Sequence, residues 1–382
     1  MKWEANGSMS TDTVGQPTGI ENMANEGDSM SIAVMVGAGM MGSAMCTPLS
    51  DRGHEVRLVG TPLDREIISS VQASGYHPTL QRQLPQGVKA YQVDALADAL
   101  VGADLVLGGV SSFGVQWFRE TVLPHLAKRD LPVLLVTKGL AEQETGQLET
   151  GQLEPIPWAL QAALPSSSGS TISAIGGPCI ARELTERRQT TVAFCGDDLA
   201  VLGHLRDLLA TPYYHISLST DVRGVETAVA MKNAYAMGVS LAIGLIHREN
   251  GGDGPEAYNP QAALFGQSTR EIQRLVQVME GRPESAVFGI ADLYVTVFGG
   301  RTRRLGILLG SGLSFAEASQ ELAGVTLESV AIATKMAAAV RRWDAENRVK
   351  MAEFPLLMHM DGIINAGQEV AIPWTSFITA LD

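Results

Sequence analysis

A lysine and an asparagine interrupt the apolar stretch "AVAMKNAYAMG", which covers residues 228–238. Burial of a lysine amine disfavours its charged form and lowers its pKa, whereas a neighbouring carboxylate raises the pKa again. A lysine tuned in this way can donate and accept a proton near neutral pH. We therefore interpret Lys232 as a candidate general acid and base, with a buried ion pair of purely structural role as the alternative.

Three other side chains have the chemistry to complete such a site. Asp292 lies between apolar neighbours in "GIADLYV" and is a candidate for the carboxylate beside the lysine, with a helix N-cap as the alternative. Lys138 directly follows a predicted strand, at the end where open α/β sheets bind ligands, with a solvent-exposed lysine as the alternative. Arg301 follows two glycines, and its guanidinium can hold a phosphate through two hydrogen bonds.

A glycine-rich turn lies near the start of the ordered sequence, in "VMVGAGMMGSAM". Its G-x-G-x-x-G spacing follows a predicted strand and precedes a helical stretch, which is the context of a dinucleotide-binding turn. Backbone N–H groups at such a helix N-terminus bind the pyrophosphate. We expect the cofactor to contact Gly37, Gly39, Met40, Met41 and Gly42, and a turn that binds no ligand is the alternative.

The choice between NAD and NADP depends on the end of the second predicted strand. An NAD site often places an acidic residue there, on the ribose 2'-hydroxyl. This chain has Gly60 and Thr61 at that place, and Asp64 follows later. Arg57 or Arg65 could meet the 2'-phosphate of NADP, so the sequence leaves both cofactors open.

The elements that must position these residues can be read from the apolar pattern. Short apolar runs alternate with helical stretches between Ser31 and Ser219, and such runs are typical of buried strands in a parallel sheet. They are "IAVMV", "EVRLV", "DLVLGGV", "PVLLVTKG", "TISAIGG" and "TTVAFCG". The sequence therefore predicts a doubly wound α/β domain over residues 31–218.

Long helical patterns replace the strands after Asp221. One of them begins with Asn259 as a predicted N-cap. We expect a helical substrate-binding domain over residues 219–382 and a disordered, solvated tail over residues 1–30. The tandem pentapeptide "ETGQLETGQLE" (144–154) is too short for a repeat architecture and is predicted to be a loop duplication.

One apolar run, residues 227–246, is long enough to cross a membrane. Lys232 and Asn233 lie near its middle, where a bilayer penalises a lysine by about 2.5–3.5 kcal/mol. We therefore expect no membrane span, and we interpret the run as the buried central helix of a large domain.

Composition limits the other function classes. A formal net charge of −13 without a basic cluster argues against a nucleic-acid partner. The seven histidines and three cysteines show no metal-ligand spacing, so we expect no metal. The odd number of cysteines without a CxxC pair suits a reducing compartment, and the cytoplasm is the expected location.

Four further stretches follow the glycine turn: "VTKGL", "GGPCIARE", "DVRGVETAVAMKNAYAMG" and "GIADLYVTVFGGRTRRLG". In this order they resemble the NAD(P)-dependent glycerol-3-phosphate dehydrogenase family. The resemblance runs from about Ile32 to about Glu328. It implies a Rossmann-like doubly wound domain followed by an all-α domain, and the reversible reduction of dihydroxyacetone phosphate with NAD or NADP as cofactor.

The resemblance also implies roles for individual residues. Lys232 would be the general acid and base, and Lys138 and Asp292 would shape the catalytic site. Asn233 would hold a substrate oxygen. The remaining implied ligands of the phosphorylated substrate are Thr296, Arg301, Thr302, Gly177 and Cys179, and those on the cofactor side are Ala181 and Glu328. A homodimer is the expected assembly.

This chain departs from the family pattern at several places. The family's Arg-Asn pair reads Arg301-Thr302, "GGVSSFG" lacks the usual proline, and "HRENGGDGPEAYNPQ" lengthens a loop. Two alternatives to the first hypothesis follow. One is a related dehydrogenase for another phosphorylated or polar 2-ketone. The other is a nucleotide-binding regulatory or scaffold protein without catalysis, against which the presence of both Lys138 and Lys232 argues.

Overall fold

A computed structural model of the chain describes residues 30–145, 148–252 and 257–377. The predicted tail therefore lies outside the described residues, except for residue 30. The strands in the described part are β1 (Ile32–Val36), β2 (Glu55–Val59), β3 (Tyr76–His77), β4 (Arg82–Gln83), β5 (Lys89–Tyr91), β6 (Leu105–Gly108), β7 (Pro132–Leu135), β8 (Leu140–Thr145), β9 (Leu148–Pro155), β10 (Thr171–Gly176), β11 (Thr190–Cys195) and β12 (Tyr214–Ser219).

The α-helices of the described part lie mostly in the second half of the chain, and the longest of them follows β12 directly. They are α1 (Met40–Asp51), α2 (Arg65–Ser74), α3 (Leu96–Ala99), α4 (Val115–Thr121), α5 (Leu123–Leu126), α6 (Ile156–Ala163), α7 (Ala181–Thr185), α8 (Leu199–Leu209), α9 (Val222–Asn250), α10 (Tyr258–Val278), α11 (Ala286–Thr296), α12 (Gly300–Gly310), α13 (Phe315–Glu321), α14 (Glu328–Ala345) and α15 (Pro355–Ala366).

One large sheet organises the first half of the chain, with the strand order β12-β11-β10-β7-β6-β1-β2-β5. Two apolar clusters cover its faces: α1, α2 and α8 contribute to one, and α4, α5 and α6 to the other. All six predicted runs form strands of this sheet. The predicted doubly wound α/β architecture is confirmed, and the carboxyl ends of β1, β6, β7 and β10 lie at one edge.

The last two strands of this sheet, β11 and β12, run against the other six, although the run that forms β11 was predicted to belong to a parallel sheet. β11 pairs antiparallel with β10, with Ala174 opposite Cys195, and β12 then pairs parallel with β11. A parallel return requires a crossover that covers a face of the sheet, usually with a helix. The connection from β10 to β11 contains only the five-residue helix α7, so the chain turns back at the edge where β10 ends.

The central helix of the second half is α9. It passes the length and apolarity test for a membrane span, yet 78% of the tested window is buried inside the protein. Helices α10, α11, α12 and α14 pack around it. The interpretation of this segment as a buried core helix is confirmed, and so is the all-helical class of the second half.

Two glycines allow the neighbouring helices to approach α9 closely. A Cβ atom added at Gly289 of α11 would lie 2.3 Å from the carbonyl oxygen of Ala228, and one added at Gly306 of α12 would lie 2.3 Å from that of Met237. Only glycine permits this backbone approach. The crossing of α11 over α9 is therefore fixed at the level of the backbone, close to Lys232.

Two local predictions were wrong. Helix α10 begins at Tyr258 with Ala257 as its N-cap, so Asn259 lies inside the helix. The tandem pentapeptide belongs to an antiparallel hairpin of β8 and β9 instead of a loop. The polar sequence gives no sign of these strands, because the hairpin is held by apolar contacts of a few residues with the helical half. Leu140 is buried in the core of that half, and Leu153 packs against the same core.

Candidate active site

The carboxylate of Asp292 contacts two lysines. Its Oδ1 atom accepts a hydrogen bond from Lys232 Nζ at 2.8 Å, and its Oδ2 atom accepts one from Lys138 Nζ at 2.5 Å. Asp292 is 1% exposed, and the side chains of Lys138 and Lys232 are 15% and 17% exposed. Asp292 lies in the interior of α11, so it is not a helix N-cap, and Lys138 is not a solvent-exposed lysine.

Lys232 lies in an environment that changes its acidity. Burial lowers the pKa of its ammonium group, the carboxylate of Asp292 opposes this, and the positive charge of Lys138 lowers the pKa further. The net result is a pKa below the ordinary lysine value. A lysine shifted in this direction loses and regains its proton closer to neutral pH.

Lys232, Asp292 and Lys138 together form what we call the two-lysine centre. Lys138 also connects this centre to the sheet. It follows β7, and its Nζ atom donates to the carbonyl oxygen of Gly177 at 2.6 Å. Gly177 follows β10 and has a φ of +105°, a conformation that side chains other than glycine rarely adopt. The two-lysine centre therefore lies at the carboxyl edge of the sheet, where open α/β sheets bind their ligands.

The glycine turn after β1 is closely packed on one side and open on the other. A Cβ atom at Gly42 would lie 2.2 Å from the carbonyl oxygen of Gly37, and one at Gly37 would lie 2.7 Å from the backbone of Gly109. A Cβ atom at Gly39 would meet nothing within 4 Å. The backbone can therefore be approached at Gly39, as a pyrophosphate requires.

Helix α1 starts at this open position. Met40, its first residue, is 50% exposed, and Met41 packs partly on the sheet core. The helix start has no side-chain cap and no acidic residue in its first turn. These N–H groups and the positive end of the helix dipole fit an anionic group, so the residues present fit a dinucleotide cofactor.

Two side chains that sequence reasoning gave no role hold the turn. Asp64 accepts a hydrogen bond from the Ala38 N–H at 3.1 Å, and His77 Nε2 lies 2.9 Å from the Ala38 carbonyl oxygen. Asp64 also binds the N–H and hydroxyl groups of Thr61. Its Oδ2 atom accepts all three hydrogen bonds and therefore fixes the turn. No local pattern marked His77, which is fully buried.

The two arginines considered for a 2'-phosphate have other partners. Arg57 pairs with Glu55, and its Nη1 atom donates to the carbonyl oxygens of Ala99 and Val101. Arg65 pairs with Asp94 on the surface. Arg57 is therefore held away from the end of β2, and this structure gives no support to its suggested role.

Glu328 contacts a second group of the predicted site residues. Its Oε2 atom lies 3.4 Å from Asn233 Nδ2 and 3.3 Å from Arg301 Nη2. Its Oε1 atom accepts from the Ser112 hydroxyl at 3.5 Å. Ser112 lies in the loop after β6 and was missed, although "GGVSSFG" had drawn attention to that loop. The contact joins the sheet half to the first residue of α14.

The remaining predicted ligands differ in their access to this centre. The Thr296 hydroxyl donates to the carbonyl oxygen of Asp292 at 2.7 Å, as threonines inside helices often do. Thr302 is 7% exposed, whereas the side chain of Arg301 is 46% exposed. Arg301 thus offers its guanidinium to a ligand, and Thr302 is largely covered.

Cys179 and Ala181 lie on the segment after β10. Burial raises the pKa of the Cys179 thiol to about 12, with Lys138, Asp292 and Lys232 as the nearest charges that act on it. The thiol is therefore neutral at physiological pH. Ala181 begins the short helix α7 and packs partly against the core of the sheet half. Cys179 therefore lies near Lys138, Asp292 and Lys232, whereas Ala181 belongs to the packing of the sheet half.

A cleft of about 480 Å³ opens beside the centre. Lys138, Asn233 and Glu328 line it together with the β8–β9 hairpin and α6. Its volume is within the range of small-molecule sites, about 300–1,000 Å³. The described residues contain no cluster of three or more His, Cys, Asp or Glu side chains that could hold a metal.

Comparison with known proteins identifies relatives over most of the chain. The family models described as NAD-dependent glycerol-3-phosphate dehydrogenase N-terminus and C-terminus match residues 31–201 and 221–373. The NADP(+)-dependent glycerol-3-phosphate dehydrogenase of Archaeoglobus fulgidus is 35% identical over 293 residues, which is 76% of this chain and 83% of that protein. A glycerol-3-phosphate dehydrogenase of Desulfotalea psychrophila is 30% identical over 301 residues, 76% of this chain and 82% of that protein.

Solved structures agree with the fold. The glycerol-3-phosphate dehydrogenase of Plasmodium falciparum has a TM-score of 0.73 at 18% identity, covering 92% of this chain and 96% of that chain. The enzyme of Coxiella burnetii has a TM-score of 0.69 at 23% identity, covering 91% and 98%. At this level of identity the likeness concerns the fold, a Rossmann-type sheet domain followed by helices.

Proposed function

The chain belongs to the NAD-dependent glycerol-3-phosphate dehydrogenase family, and we propose that it interconverts dihydroxyacetone phosphate and glycerol 3-phosphate. It is an NAD(P)-dependent oxidoreductase that acts on a CH–OH group. The observation that carries the proposal within the structure is the Lys232–Asp292–Lys138 centre at the carboxyl edge of the sheet. The proposal puts the reactive ring of the cofactor beside this centre, because open α/β sheets bind their ligands at the carboxyl edge.

A bound nicotinamide cofactor would supply the hydride for reduction of the second carbon of the ketone substrate. Lys232 donates the proton to the ketone oxygen and takes it back in the reverse direction. Asp292 holds the ammonium of Lys232 in place, and its charge keeps the pKa from falling too far. Lys138 adds a positive charge beside the developing alkoxide, which a buried site makes effective.

The substrate phosphate is assigned to Arg301, because its exposed guanidinium pairs with Glu328, which also contacts Asn233. Phosphate has more charge than the single carboxylate of Glu328, so it can draw Arg301 from that pair. Asn233 would then be released to hold a substrate oxygen. Thr296, Thr302, Gly177 and Cys179 complete the proposed substrate side.

The cofactor side is assigned to the glycine turn, Gly37, Gly39, Met40, Met41 and Gly42, with Ala181 and Glu328 near the nicotinamide end. We assign Glu328 to both sides, because it also contacts Asn233 and Arg301. The cofactor is NAD or NADP. Arg57 and Arg65 already have partners, so neither supports a preference for NADP.

A second candidate function is a family enzyme for another phosphorylated or polar 2-ketone. Thr302 favours it, because a short and largely buried hydroxyl stands where the family has an asparagine beside the arginine. Such a site would make fewer hydrogen bonds to a phosphate. The fold and the two-lysine centre are equally compatible with both candidate functions.

A purified-enzyme screen tests these proposals. The oxidation of NADH and of NADPH is followed with dihydroxyacetone phosphate, with unphosphorylated dihydroxyacetone and with other 2-ketones. Turnover with dihydroxyacetone phosphate and much weaker turnover with its unphosphorylated analogue supports the first proposal. Turnover restricted to another ketone supports the second. If no ketone is turned over but cofactor binding is measurable, the result would support a nucleotide-binding protein without catalysis instead.

We further propose a cytoplasmic homodimer with a tail over residues 1–30 and domains over residues 31–218 and 219–382. An exposed aromatic face formed by α10, α11 and the segment after α11 supports the dimer. Tyr294 and Phe298 are 58% and 66% exposed, and the ring of Tyr294 contacts that of Phe265 edge-on. The cysteines Cys46, Cys179 and Cys195 are free thiols, which suits a reducing compartment. Light scattering of the purified chain tests the assembly.

A further inference from the structure

A buried carboxyl group beneath the active site has no evident partner. Glu226 lies on α9, two turns before Lys232, and its side chain is 0% exposed. Neither of its oxygen atoms has a hydrogen-bond partner of normal geometry among the described residues. Buried carboxyl groups are normally hydrogen-bonded or paired, so a group of this kind calls for a functional explanation.

The surroundings of Glu226 connect it to the two-lysine centre. Burial raises the pKa of its carboxyl to about 8, and the groups that oppose the rise are the ammonium of Lys138 and the backbone N–H of Gly139. From the sheet, the Cys195 thiol also faces Glu226, and burial keeps that thiol neutral by raising its pKa well above the ordinary value. Lys138 is therefore the charged neighbour that acts most directly on Glu226.

The charges of the centre are unbalanced without Glu226. Two ammonium groups, those of Lys138 and Lys232, share the single carboxylate of Asp292. The positive charge of Lys138 lowers the pKa of Lys232. A second negative charge next to Lys138 would offset that effect, because it would neutralise the cation that competes with Lys232 for Asp292.

We propose that Glu226 is a positioning residue that sets the net charge of the two-lysine centre by holding or releasing one proton beneath Lys138. The inference rests on the proposed function and deepens it. When the carboxyl is protonated, the centre has a net charge of +1. When it releases its proton to bulk water, the centre becomes neutral and Lys232 keeps its own proton to higher pH.

The consequence is a shift in the pH range of catalysis. Ketone reduction requires protonated Lys232, so its rate falls as the pH rises through the pKa of that lysine. Two unit charges on the order of 10 Å apart, at an effective dielectric constant of about 20, shift each other by about one pH unit. Loss of the ionisable group should therefore move the alkaline decline to lower pH by about one unit.

The decisive experiment compares kcat/KM for dihydroxyacetone phosphate reduction between about pH 6 and about pH 10 in the wild type, Glu226→Gln and Glu226→Asp. We expect the alkaline decline to move to lower pH in Glu226→Gln and to return towards the wild type in Glu226→Asp. Glu353→Gln is the matched control, since Glu353 pairs with Arg274 and does not line the cleft. Its pH profile should match the wild type.

An infrared titration provides a readout that does not require turnover. The difference spectrum between the wild type and Glu226→Gln should show the carbonyl band of a protonated carboxylic acid that disappears as the pH rises through about 8. The difference is needed because the buried carboxyl of Glu271, whose pKa is raised to about 7, contributes a similar band in both proteins. If the enzyme does not turn over the phosphorylated ketone, the proposed function fails, while this band still tests Glu226. Coincident pH profiles in wild type and Glu226→Gln, or a difference spectrum without the band, would overturn the inference.

Discussion

Lys232 and Asp292 are 60 positions apart in the chain, and their side chains meet at 2.8 Å between Nζ and Oδ1. The contact is possible because α11 crosses α9 with Gly289 directly against the backbone of Ala228. Asp292 is one turn of α11 beyond this crossing, and Lys232 is one turn of α9 beyond it. The helix crossing thus determines the position of the proposed proton donor.

Replacing Lys232 with methionine removes the proposed proton donor while keeping the volume and apolar character of the side chain. We expect kcat to fall by about 10²–10⁴-fold, the usual contribution of a positioned acid or base. Cofactor affinity and fold should persist, as measured by NADH fluorescence titration and circular dichroism. Lys89→Met is the control, because Lys89 pairs with Glu55 on the surface. Near-normal turnover of Lys232→Met would show that this lysine has a structural role and is not the proton donor.

Replacing Asp292 with asparagine leaves two buried ammonium groups without their carboxylate. Loss of one partner from a buried ion pair costs about 3–5 kcal/mol of unfolding free energy. The pKa of Lys232 should fall further, because the carboxylate is what raises it. Ketone reduction should then decline at lower pH than in the wild type.

Urea unfolding and a pH–rate profile measure the two effects of Asp292→Asn. Asp94→Asn is the comparison, since Asp94 pairs with Arg65 on the surface and such pairs contribute at most about 1 kcal/mol. Equal stability losses in the two variants would contradict the structural role given to Asp292.

The glycine turn offers a matched pair of substitutions. Gly42→Ala places a Cβ atom 2.2 Å from the Gly37 carbonyl oxygen, so it should destabilise the fold by about 1–3 kcal/mol. Gly39→Ala meets nothing within 4 Å, so stability should be retained. Its added methyl group would instead block the approach of the pyrophosphate, and we expect at least about tenfold weaker NADH binding. Thermal unfolding and fluorescence titration separate the two outcomes, and unchanged cofactor affinity in Gly39→Ala would argue against the proposed cofactor position.

Replacing Arg301 with alanine should affect phosphorylated substrates selectively. Loss of charge-assisted hydrogen bonds to a phosphate costs about 2–3 kcal/mol, which corresponds to about 30–150-fold in kcat/KM. The same substitution should change kcat/KM for unphosphorylated dihydroxyacetone much less. Arg304→Ala is the control, since Arg304 is exposed on the same helix. If both ketones lost activity equally, Arg301 would not be the phosphate ligand.

The buried carboxyl of Glu226 should also affect stability in a defined pH window. Its pKa is about 8 in the folded chain and 4.5 in the unfolded reference, so the folded state binds more protons between these values. The unfolding free energy contributed by Glu226 therefore falls as the pH rises from about 4.5 to about 8. The stability of the wild type relative to Glu226→Gln should decrease over this window, as measured by urea unfolding at several pH values. A constant difference would mean that Glu226 does not titrate there.

Local patterns in the sequence were sufficient to predict the secondary structure that carries the site. Apolar runs bounded by glycine, proline or aspartate became strands, because such runs are buried wherever a doubly wound sheet forms. The spacing of Gly37, Gly39 and Gly42 predicted the turn, since Gly37 adopts a positive φ and Gly42 packs against the Gly37 carbonyl oxygen within the motif. Lys232 was recognisable because a lysine in a long apolar helix is costly without a partner.

Only the tertiary structure decided which groups meet. Asp292 binds both Lys232 and Lys138, although it lies 60 and 154 positions from them, and no periodicity encodes such a distance. The antiparallel direction of β11 and the hairpin of the tandem pentapeptide likewise depend on the sheet edge and the helical core available to them. The burial of Glu226 without a hydrogen-bond partner was also decided by the tertiary structure. It depends on the residues packed around the carboxyl, and these come from elements that are separate in the sequence.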